Sequence, residues 1–525
     1  MNFNVKNNKL NRIAFWGCGG EGIYYVAKYF YYQNKFCVGY DLKQTKYTKR
    51  LEKLGIKVIN KNPKKLRNID LVVYSNAIPL KVVEGVLKIN PGVKFVDLGT
   101  FYNQTVNDFE SKKLPTFEVK AFKKSGIAPL YNLKLNCDEV FIGVTGTNGK
   151  TTTCEILYSI FKNAGYKTCL VSTISAKIGD KQLKTGLHTT TPSGTKLYKI
   201  IKKGKKSECK YYIIETTSQG LAMKRLAGLK FDYAVFTNVT NEHLDYHKTY
   251  KKYLKAKSKL ITENLKNNGT VVLNVDDKGS YKYLANIAKK FVTYGINKKA
   301  DFIGSNINED CGVSFTCNKN TYKLNIYGVY NVYNALACVA VAKLEKIGSA
   351  KIQQGFFKVK QVKGRMHVIK NNPFKVVVDF AHTPDALEKA LVWAKNNTEN
   401  KVLCVFGCAG GRYVKKRKEM GKIASILSDK VILTAEDPRY EKLKDINDQI
   451  QHGFNKDNLN KLIRFDDDSK NVKVRKDAIK KALSIAKKGD SVIICGKGHE
   501  ESMNFGGKEY QWSDIEQTTK LIKKL

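Results

Sequence analysis

Short apolar runs that stop at small or polar residues recur along the whole chain, most of them followed by a stretch with helical spacing. The first, in "RIAFWGCGGEG", runs into Gly17, Gly19, Gly20 and Gly22 and then a helix bearing Val26, Ala27 and Phe30. "FCVGYD" is a second strand ending at Asp41, and "IDLVVYSNAIP" and "VKFVDLG" are two more. This alternation predicts a small parallel, Rossmann-like α/β domain over residues 1–125.

The central stretch opens with the strand "EVFIGVTG". The helix in "TTTCEILYSIFKNAGY" has Ile156, Leu157, Ile160 and Phe161 as its buried stripe. Strands follow at "KYYIIETT", "DYAVFTNVT" and "GTVVLNVDD", each with a polar end. Residues 300–325 read as short polar strands, a hairpin, before the apolar helix "GVYNVYNALACVAVAKLEKIG". A domain over 126–362 accounts for these. The last stretch, 363–525, carries "VVVDFAHTP", "VLCVFGCAGG", "VILTAEDPR" and "VIICGKGHE". In each, small or charged residues sit at the carboxyl end of the strand, where open parallel sheets bind ligands. This predicts a third, Rossmann-like α/β domain, with Lys363-Gly364-Arg365 as a hinge.

Length agrees with this division: 525 residues exceed what one hydrophobic core serves. A 42% hydrophobic and 27% charged composition is that of a soluble globular protein. No signal peptide is expected, and no apolar run reaches the ~18 residues of a membrane span. The twelve cysteines show no metal-ligand spacing and read as reduced thiols of a cytoplasmic protein. The net charge of +46 favours anionic ligands such as nucleotides. The lysines are scattered and no nucleic-acid motif accompanies them, so no nucleic-acid partner is expected.

"GVTGTNGKTTT" carries the strongest chemical signal. Strand, loop and helix come in the order of a phosphate-binding loop. Gly146, Thr147, Asn148 and Gly149 can wrap phosphates with backbone N–H groups. Lys150 can reach the terminal phosphates, and Thr151 or Thr152 can bind Mg²⁺ through its hydroxyl. This central domain is therefore a P-loop ATPase-type domain. Glu215 ends a strand where a carboxylate can hold Mg²⁺, and His243 follows another. A histidine ligand implies a site that also takes Mn²⁺. Of seven histidines, five fall at strand ends: His188, His243, His247, His382 and His499. The first glycine loop, with Asp41, is compatible with a dinucleotide fingerprint or with tight turns alone.

From residue 140 to 500 the chain resembles the Mur ligases, three-domain ATP-dependent amino-acid ligases that build cell-wall peptides on a UDP-sugar. The resemblance rests on "GVTGTNGKTTT", "TTTPSG", "FTNVTNEHLDYHKTYKKYLKAKSKL", "YNVYNALA", "GRM", "DFAHTPDALEKAL", "FGCAGG" with "KKRKEMG", "EDPR" and "GKGHE", in that order. It is nearest to the MurE type, which adds the third residue. The resemblance implies that Lys150 and Thr151 contact ATP and Mg²⁺, and that Glu215 and His243 hold a pair of magnesium ions. Lys257 matches a lysine carbamylated in the family, and Asn331 and Asn334 match the adenine side. His188, Thr190, Thr191 and Pro192 match the UDP-substrate motif. Arg365, Asp379 and His382 match nucleotide and interdomain positions. Asp437, Arg439, Gly496, His499 and Glu500 fall where the incoming amino acid is held. The site completes within one chain, so a monomer is expected.

Some residues depart from the MurE pattern. "ETTSQG" puts Gln219 where that type has histidine, and Arg412 stands where an acidic residue is usual. "GCGGEG" and "VVYSNAIP" resemble the MurC type, so Gly19, Gly20, Gly22, Asp41 and Ser75 are expected to contact UDP. "EDPR" replaces the "DNPR" of diaminopimelate enzymes. Asp437 in place of asparagine favours a cationic side chain, hence lysine. The combination suits either the pseudomurein peptide ligases of methanogenic archaea or a divergent bacterial MurE. Folate polyglutamate and cyanophycin ligases, or an inactive nucleotide-binding protein, are the alternatives.

Overall fold

The computed structural model describes residues 10–63, 66, 68–75, 78, 80–110, 128–183, 190–240, 242–310, 312–467 and 471–524. His188 lies outside them. The chain forms two compact units. One comprises residues 1–136, 192–202 and 219–229, and the other residues 137–191, 203–218 and 230–525.

The first unit holds a parallel sheet of β1 (Arg12–Trp16), β2 (Phe36–Tyr40), β3 (Lys57–Ile59), β4 (Leu71–Tyr74) and β5 (Lys94–Asp97), in the order β3-β2-β1-β4-β5. Both faces are apolar, as a doubly covered parallel sheet requires. Ile13 and Phe15 face one cluster with Val26, Ala27 and Phe30; Ala14 and Trp16 face another with Val72 and Val83. The expected strands are present. A helix, Leu98–Glu110, also starts directly after β5, capped by Asp97, whose Oδ1 accepts from Thr100 N at 3.0 Å.

The second unit holds the central and third domains. The central sheet contains β6 (Val140–Thr145), β7 (Thr168–Val171), β8 (Ala176–Ile178), β9 (Lys181–Leu183), β10 (Tyr211–Glu215), β11 (Phe231–Phe236), β12 (Leu265–Asn274), β13 (Phe291–Gly295) and β14 (Phe302–Ile303). Their order is β14-β13-β12-β11-β6-β10-β7-β8-β9. β6, which feeds the glycine loop, is thus flanked by β10 and β11, whose ends carry the polar residues singled out in the sequence. Ile156, Leu157, Ile160 and Phe161 of helix Lys150–Asn163 are fully buried, as their spacing predicts. The polar strands near 300–325 form an antiparallel sheet of β15 (Ser305–Asn308), β16 (Val313–Cys317) and β17 (Asn320–Leu324).

The third domain is built on β18 (His367–Lys370), β19 (Lys375–Asp379), β20 (Val402–Phe406), β21 (Lys430–Leu433), β22 (Leu462–Arg464) and β23 (Ser491–Cys495), in the order β18-β19-β23-β20-β21-β22. All neighbours are parallel except β18 and β19. A hairpin of β24 (Ser502–Phe505) and β25 (Lys508–Gln511) follows β23. Among the described residues, eleven cysteines are free, and no helix is long and apolar enough to cross a membrane.

Candidate active site

The glycine loop is shaped by its glycines. Gly149 caps helix Lys150–Asn163 in the left-handed region (φ 82°), where a side chain is strained. A Cβ on it would lie 2.3 Å from Asn334 Oδ1. The loop is braced by the end of β11: Thr147 N donates to Asn238 O at 2.6 Å and Asn148 N to Asn238 Oδ1 at 3.0 Å. Asn334 accepts from the Thr153 hydroxyl at 3.3 Å and donates to Asn331 Oδ1 at 2.8 Å. Asn331 and Asn334 therefore stand against the first turn of the loop's helix.

Lys150 Nζ donates to the carbonyl oxygens of Gly146 (3.0 Å) and Thr147 (2.8 Å). To reach a terminal phosphate it exchanges these carbonyls for phosphate oxygens. Lys257 Nζ donates to the same Gly146 carbonyl at 2.6 Å. Lys257 is 1% exposed; burial, then the nearby Lys150 charge, pushes its ammonium well below the usual lysine range. Burial lowers Lys150 as well, with Glu215 and Glu242 opposing.

Glu215, at the end of β10, is buried and held on several sides. It accepts from Thr151 Oγ1 at 3.1 Å, and from Thr173 N and Thr173 Oγ1, both at 2.8 Å. The Thr190 hydroxyl lies 3.0 Å from that of Thr173, and Thr191 Oγ1 donates to the Glu215 carbonyl at 3.0 Å. His243 has a left-handed backbone (φ 55°), and burial pushes its imidazole down to about 4, so it is neutral and able to ligate. Among the described residues, no group of three or more histidine, cysteine or acidic side chains is arranged to hold a metal ion. Mg²⁺ does not demand such a cage, because it keeps waters and takes one or two carboxylates plus phosphates. Glu215 beside the Thr151 hydroxyl, at the mouth of the phosphate loop, fits that habit.

The third domain reaches this loop. Arg365 donates to Thr151 Oγ1 at 3.4 Å, and its guanidinium lies 4.2 Å from the Phe380 ring centre. Asp379 accepts from Met366 N (2.6 Å) and Ala381 N (2.8 Å), fixing the turn that carries Arg365. Asn148 Nδ2 donates to Asp385 at 2.7 Å. His382 Nε2 is 3.2 Å from Glu242 Oε1, and His243 Nε2 is 3.7 Å from Glu242 Oε2. Against the upward push of burial, these two histidines hold the Glu242 carboxyl well below the usual range. Gly364, the expected hinge, packs so closely that a Cβ there would lie 2.1 Å from His499 N.

At the far end of the third sheet, Asp437 does not stand free. It forms an ion pair with Lys497 at 2.9 Å and accepts from Asn504 N at 2.9 Å. Lys497 also pairs with Glu500 at 2.5 Å. Arg439 takes a left-handed backbone (φ 55°), and its N–H donates to Asn504 O at 3.0 Å, so the β24–β25 hairpin fixes its position. Gly496 (φ 108°) lies against Glu436. In the first unit, Asp41 braces the glycine loop: its Oδ2 accepts from Gly19 N at 2.8 Å and its Oδ1 from Lys43 N at 2.9 Å. Gly20 N donates to Gly17 O, Gly22 packs on Leu98, and Ser75 N donates to Trp16 O.

Sequence reasoning missed Thr173, Glu242, Glu436 and Lys497. Glu242 adjoins His243 and Lys497 lies inside "GKGHE", so both were within reach. Thr173 had no signal beyond its position after β7.

The chain matches three family models: "Mur ligase family, catalytic domain" over residues 12–110, "Mur ligase middle domain" over 144–342, and "Mur ligase, glutamate ligase domain" over 364–498. It is 37% identical, over 405 residues, to a UDP-N-acetylmuramoyl-L-alanyl-D-glutamate–2,6-diaminopimelate ligase of Clostridium acetobutylicum, covering 76% of this chain and 80% of that protein. Its fold is shared with a pseudomurein peptide ligase type C from Methanothermus fervidus (TM-score 0.55, 19% identity, 98% of this chain and 99% of that one). It is shared also with a UDP-N-acetylmuramoyl-L-alanyl-D-glutamate–2,6-diaminopimelate ligase structure (TM-score 0.52, 23% identity, 88% and 94%). The chain therefore belongs to the Mur ligase family, and is an ATP-dependent ligase that joins an acid to an amino acid.

Proposed function

We propose that this ligase adds lysine to the glutamyl carboxylate of a UDP-linked cell-wall peptide precursor, through an acyl phosphate, in the cytoplasm. The observation that carries the reading is the convergence on one phosphate loop of Lys150, Thr151, the buried Glu215 and Lys257 with Arg365 from the third domain. A carboxylate and an amine do not condense unaided. Transfer of the γ-phosphoryl group to the carboxylate supplies a leaving group, and that transfer is mainly a matter of positioning and charge. Mg²⁺, or Mn²⁺ in its place, would neutralise phosphate charge when bound; Thr151, Glu215, His243 and a carbamylated Lys257 would hold two such ions.

The chain's own groups do the rest. Gly146 to Thr152 hold the phosphates, Lys150 offsets charge on the transferring group, and Asn331 and Asn334 face the adenine end. Arg365, Asp379 and His382 close the third domain onto ATP, keeping water from the acyl phosphate. Residues 1–125 hold the UDP moiety through Gly19, Gly20, Gly22, Asp41 and Ser75; in 126–362, His188, Thr190, Thr191 and Pro192 make up the UDP-substrate motif. In 363–525, Arg439 pairs with the α-carboxylate of the incoming amino acid. Asp437 reads its cationic end, and Gly496, His499 and Glu500 line the amino-acid site; the bond from Lys497 makes Asp437 a shared carboxylate. The reading is for a monomer without a nucleic-acid partner.

The test is ADP release by the purified protein with Mg²⁺, across UDP-linked glutamyl acceptors and a panel of amino acids. Release that needs both acceptor and lysine is expected. Release with another amino acid would remove the lysine assignment. Release with folate or aspartyl-polymer acceptors alone would remove the cell-wall assignment.

A further inference from the structure

The helix Pro384–Asn396 of the third domain serves two neighbours. Leu387, Ala390, Leu391 and Ala394 are buried in that domain's own core. Asp385, Lys389 and Trp393, each four positions after the last, form a stripe along one side. Each of them bears on a different element of the central domain. Asp385 Oδ2 accepts from Asn148 Nδ2 of the phosphate loop at 2.7 Å. Lys389 pairs with Asp385 at 2.8 Å, and its charge also acts on Asp277, just past β12. Asp277 in turn accepts from Val239 N at 2.8 Å, next to the Asn238 that braces the loop. The Trp393 ring lies 5.4 Å from that of Tyr327, in the segment leading into the helix Tyr330–Leu344 that carries Asn331 and Asn334.

Both ends of the Asn148–Asp385 bond are held by their own domains. The Asn148 N–H donates to Asn238 Oδ1 at 3.0 Å, and its carbonyl accepts from Thr237 Oγ1 at 2.6 Å. The helix start is equally fixed: Thr383 caps it by accepting from Ala386 N at 3.2 Å, and Pro384 presets the first turn. The bond therefore forms at one separation of the two domains. A small polar contact of this kind opens and closes, as an apolar core does not. Asp385 also suits its own helix, because a negative charge in the first turn is favoured by the helix dipole and Lys389 follows at i+4. Those two roles need its charge; the bond to Asn148 needs only an acceptor oxygen.

We infer that Asp385 is a positioning residue: through its bond to Asn148 it holds the third domain against the phosphate loop while the acyl phosphate exists. This rests on the acyl phosphate reading above. Asp385 touches no reacting atom; what it governs is which nucleophile reaches the acyl carbon. With the domains held together, the amine nitrogen forms the N–C bond, the C–O bond to phosphorus breaks, and amide and phosphate result. With the bond lost, water attacks the same carbon and the same C–O bond breaks. Carboxylate and phosphate are then recovered, and ATP is spent with no amide formed.

The test compares ADP with amide, using ATP, Mg²⁺, the UDP-linked glutamyl acceptor and lysine. Wild type is expected to release equal amounts of the two. In Asp385→Ala the ratio of ADP to amide should rise several-fold, since losing a hydrogen bond to a charged group shifts an open–closed balance by roughly tenfold or more. Affinity for a non-hydrolysable ATP analogue should stay within a few-fold of wild type. Asp385→Asn keeps an oxygen for Asn148 Nδ2 while removing the charge, and should hold the ratio near that of wild type. Asn148→Ala combined with Asp385→Ala should uncouple no further than Asp385→Ala alone. Equal uncoupling by the alanine and asparagine variants, additive uncoupling in the double variant, or an unchanged ratio in Asp385→Ala would overturn the inference. Small-angle X-ray scattering with the ATP analogue reads the same contact without turnover: Asp385→Ala should be more extended than wild type and Asp385→Asn should not. Identical profiles for all three would overturn the inference, and a wild type that releases no ADP would remove the ligase reading while the scattering still decides the contact.

Discussion

Lys257 and Lys150 share one acceptor: the carbonyl oxygen of Gly146 takes Lys257 Nζ at 2.6 Å and Lys150 Nζ at 3.0 Å. Two ammonium groups on one oxygen repel each other, and Lys257, the deeper, yields its proton first. A neutral amine reacts with carbon dioxide; an ammonium does not. Protein equilibrated with ¹³C-bicarbonate should therefore show a carbamate carbon signal that is absent from Lys257→Arg. That variant should lose turnover by about 100-fold, the scale of removing one electrostatic group from an active site. A wild-type spectrum without the signal would remove carbamylation from the account.

Gly149 and Asn334 are matched by shape. A methyl group at 149 would lie 2.3 Å from Asn334 Oδ1, on a backbone with φ of 82°. Gly149→Ala should weaken binding of a non-hydrolysable ATP analogue by ~5- to 150-fold, corresponding to strain of about 1–3 kcal/mol. Calorimetric titration measures this, with far-UV circular dichroism as the check on folding. Unchanged affinity would show that the nucleotide does not use this loop.

The parts of the site that the sequence made legible are contiguous. Gly146 to Thr152 form one strand–loop–helix, and their order is their geometry. Glu215 was legible because it ends a strand shortly after that loop, and Lys257 only because "KAKSKL" resembles the family's motif. Glu242 was harder, since its meaning depends on His382, which meets it only through tertiary packing. The reading of Asp437 as favouring a cationic side chain did not include Lys497, sixty positions on, because salt bridges between separate strand ends leave no periodic trace. The β24–β25 hairpin that positions Arg439 did have a signal: Gly506-Gly507 between two short runs. Helix Leu98–Glu110 had one too: Asp97, the last residue of β5, caps it by accepting from Thr100 N at 3.0 Å.

Asp437 carries the amino-acid preference in this account. Asp437→Asn keeps the shape of the side chain and removes its charge from beside Lys497. The ratio of kcat/KM for lysine to that for diaminopimelate should fall roughly tenfold or more, the worth of one hydrogen bond to a charged group. An unchanged ratio would move the preference to another residue.

His499 sets a pH dependence of stability. Its ring packs 4.9 Å from that of Phe380, its Nδ1 has no partner, and burial, then Arg365, pushes the imidazole from 6.5 down to about 3. The folded chain thus refuses a proton that the unfolded chain accepts. The stability contribution is fully present above 6.5 and is lost as pH falls from there toward about 3. Between neutral pH and about pH 5, wild type should lose up to ~2 kcal/mol more than His499→Gln, about 1.4 kcal/mol per pH unit below the unfolded value. Urea unfolding of both proteins at the two pH values measures it; equal losses would contradict the buried neutral state.

The most direct test of the central claim follows oxygen. With the acceptor carboxylate labelled with ¹⁸O, ATP, Mg²⁺ and lysine, an acyl phosphate requires one labelled oxygen to leave with the phosphate. Mass spectrometry should find inorganic phosphate carrying one ¹⁸O for each lysine joined to the UDP-linked acceptor. Lysine joined with unlabelled phosphate released would contradict the acyl phosphate route.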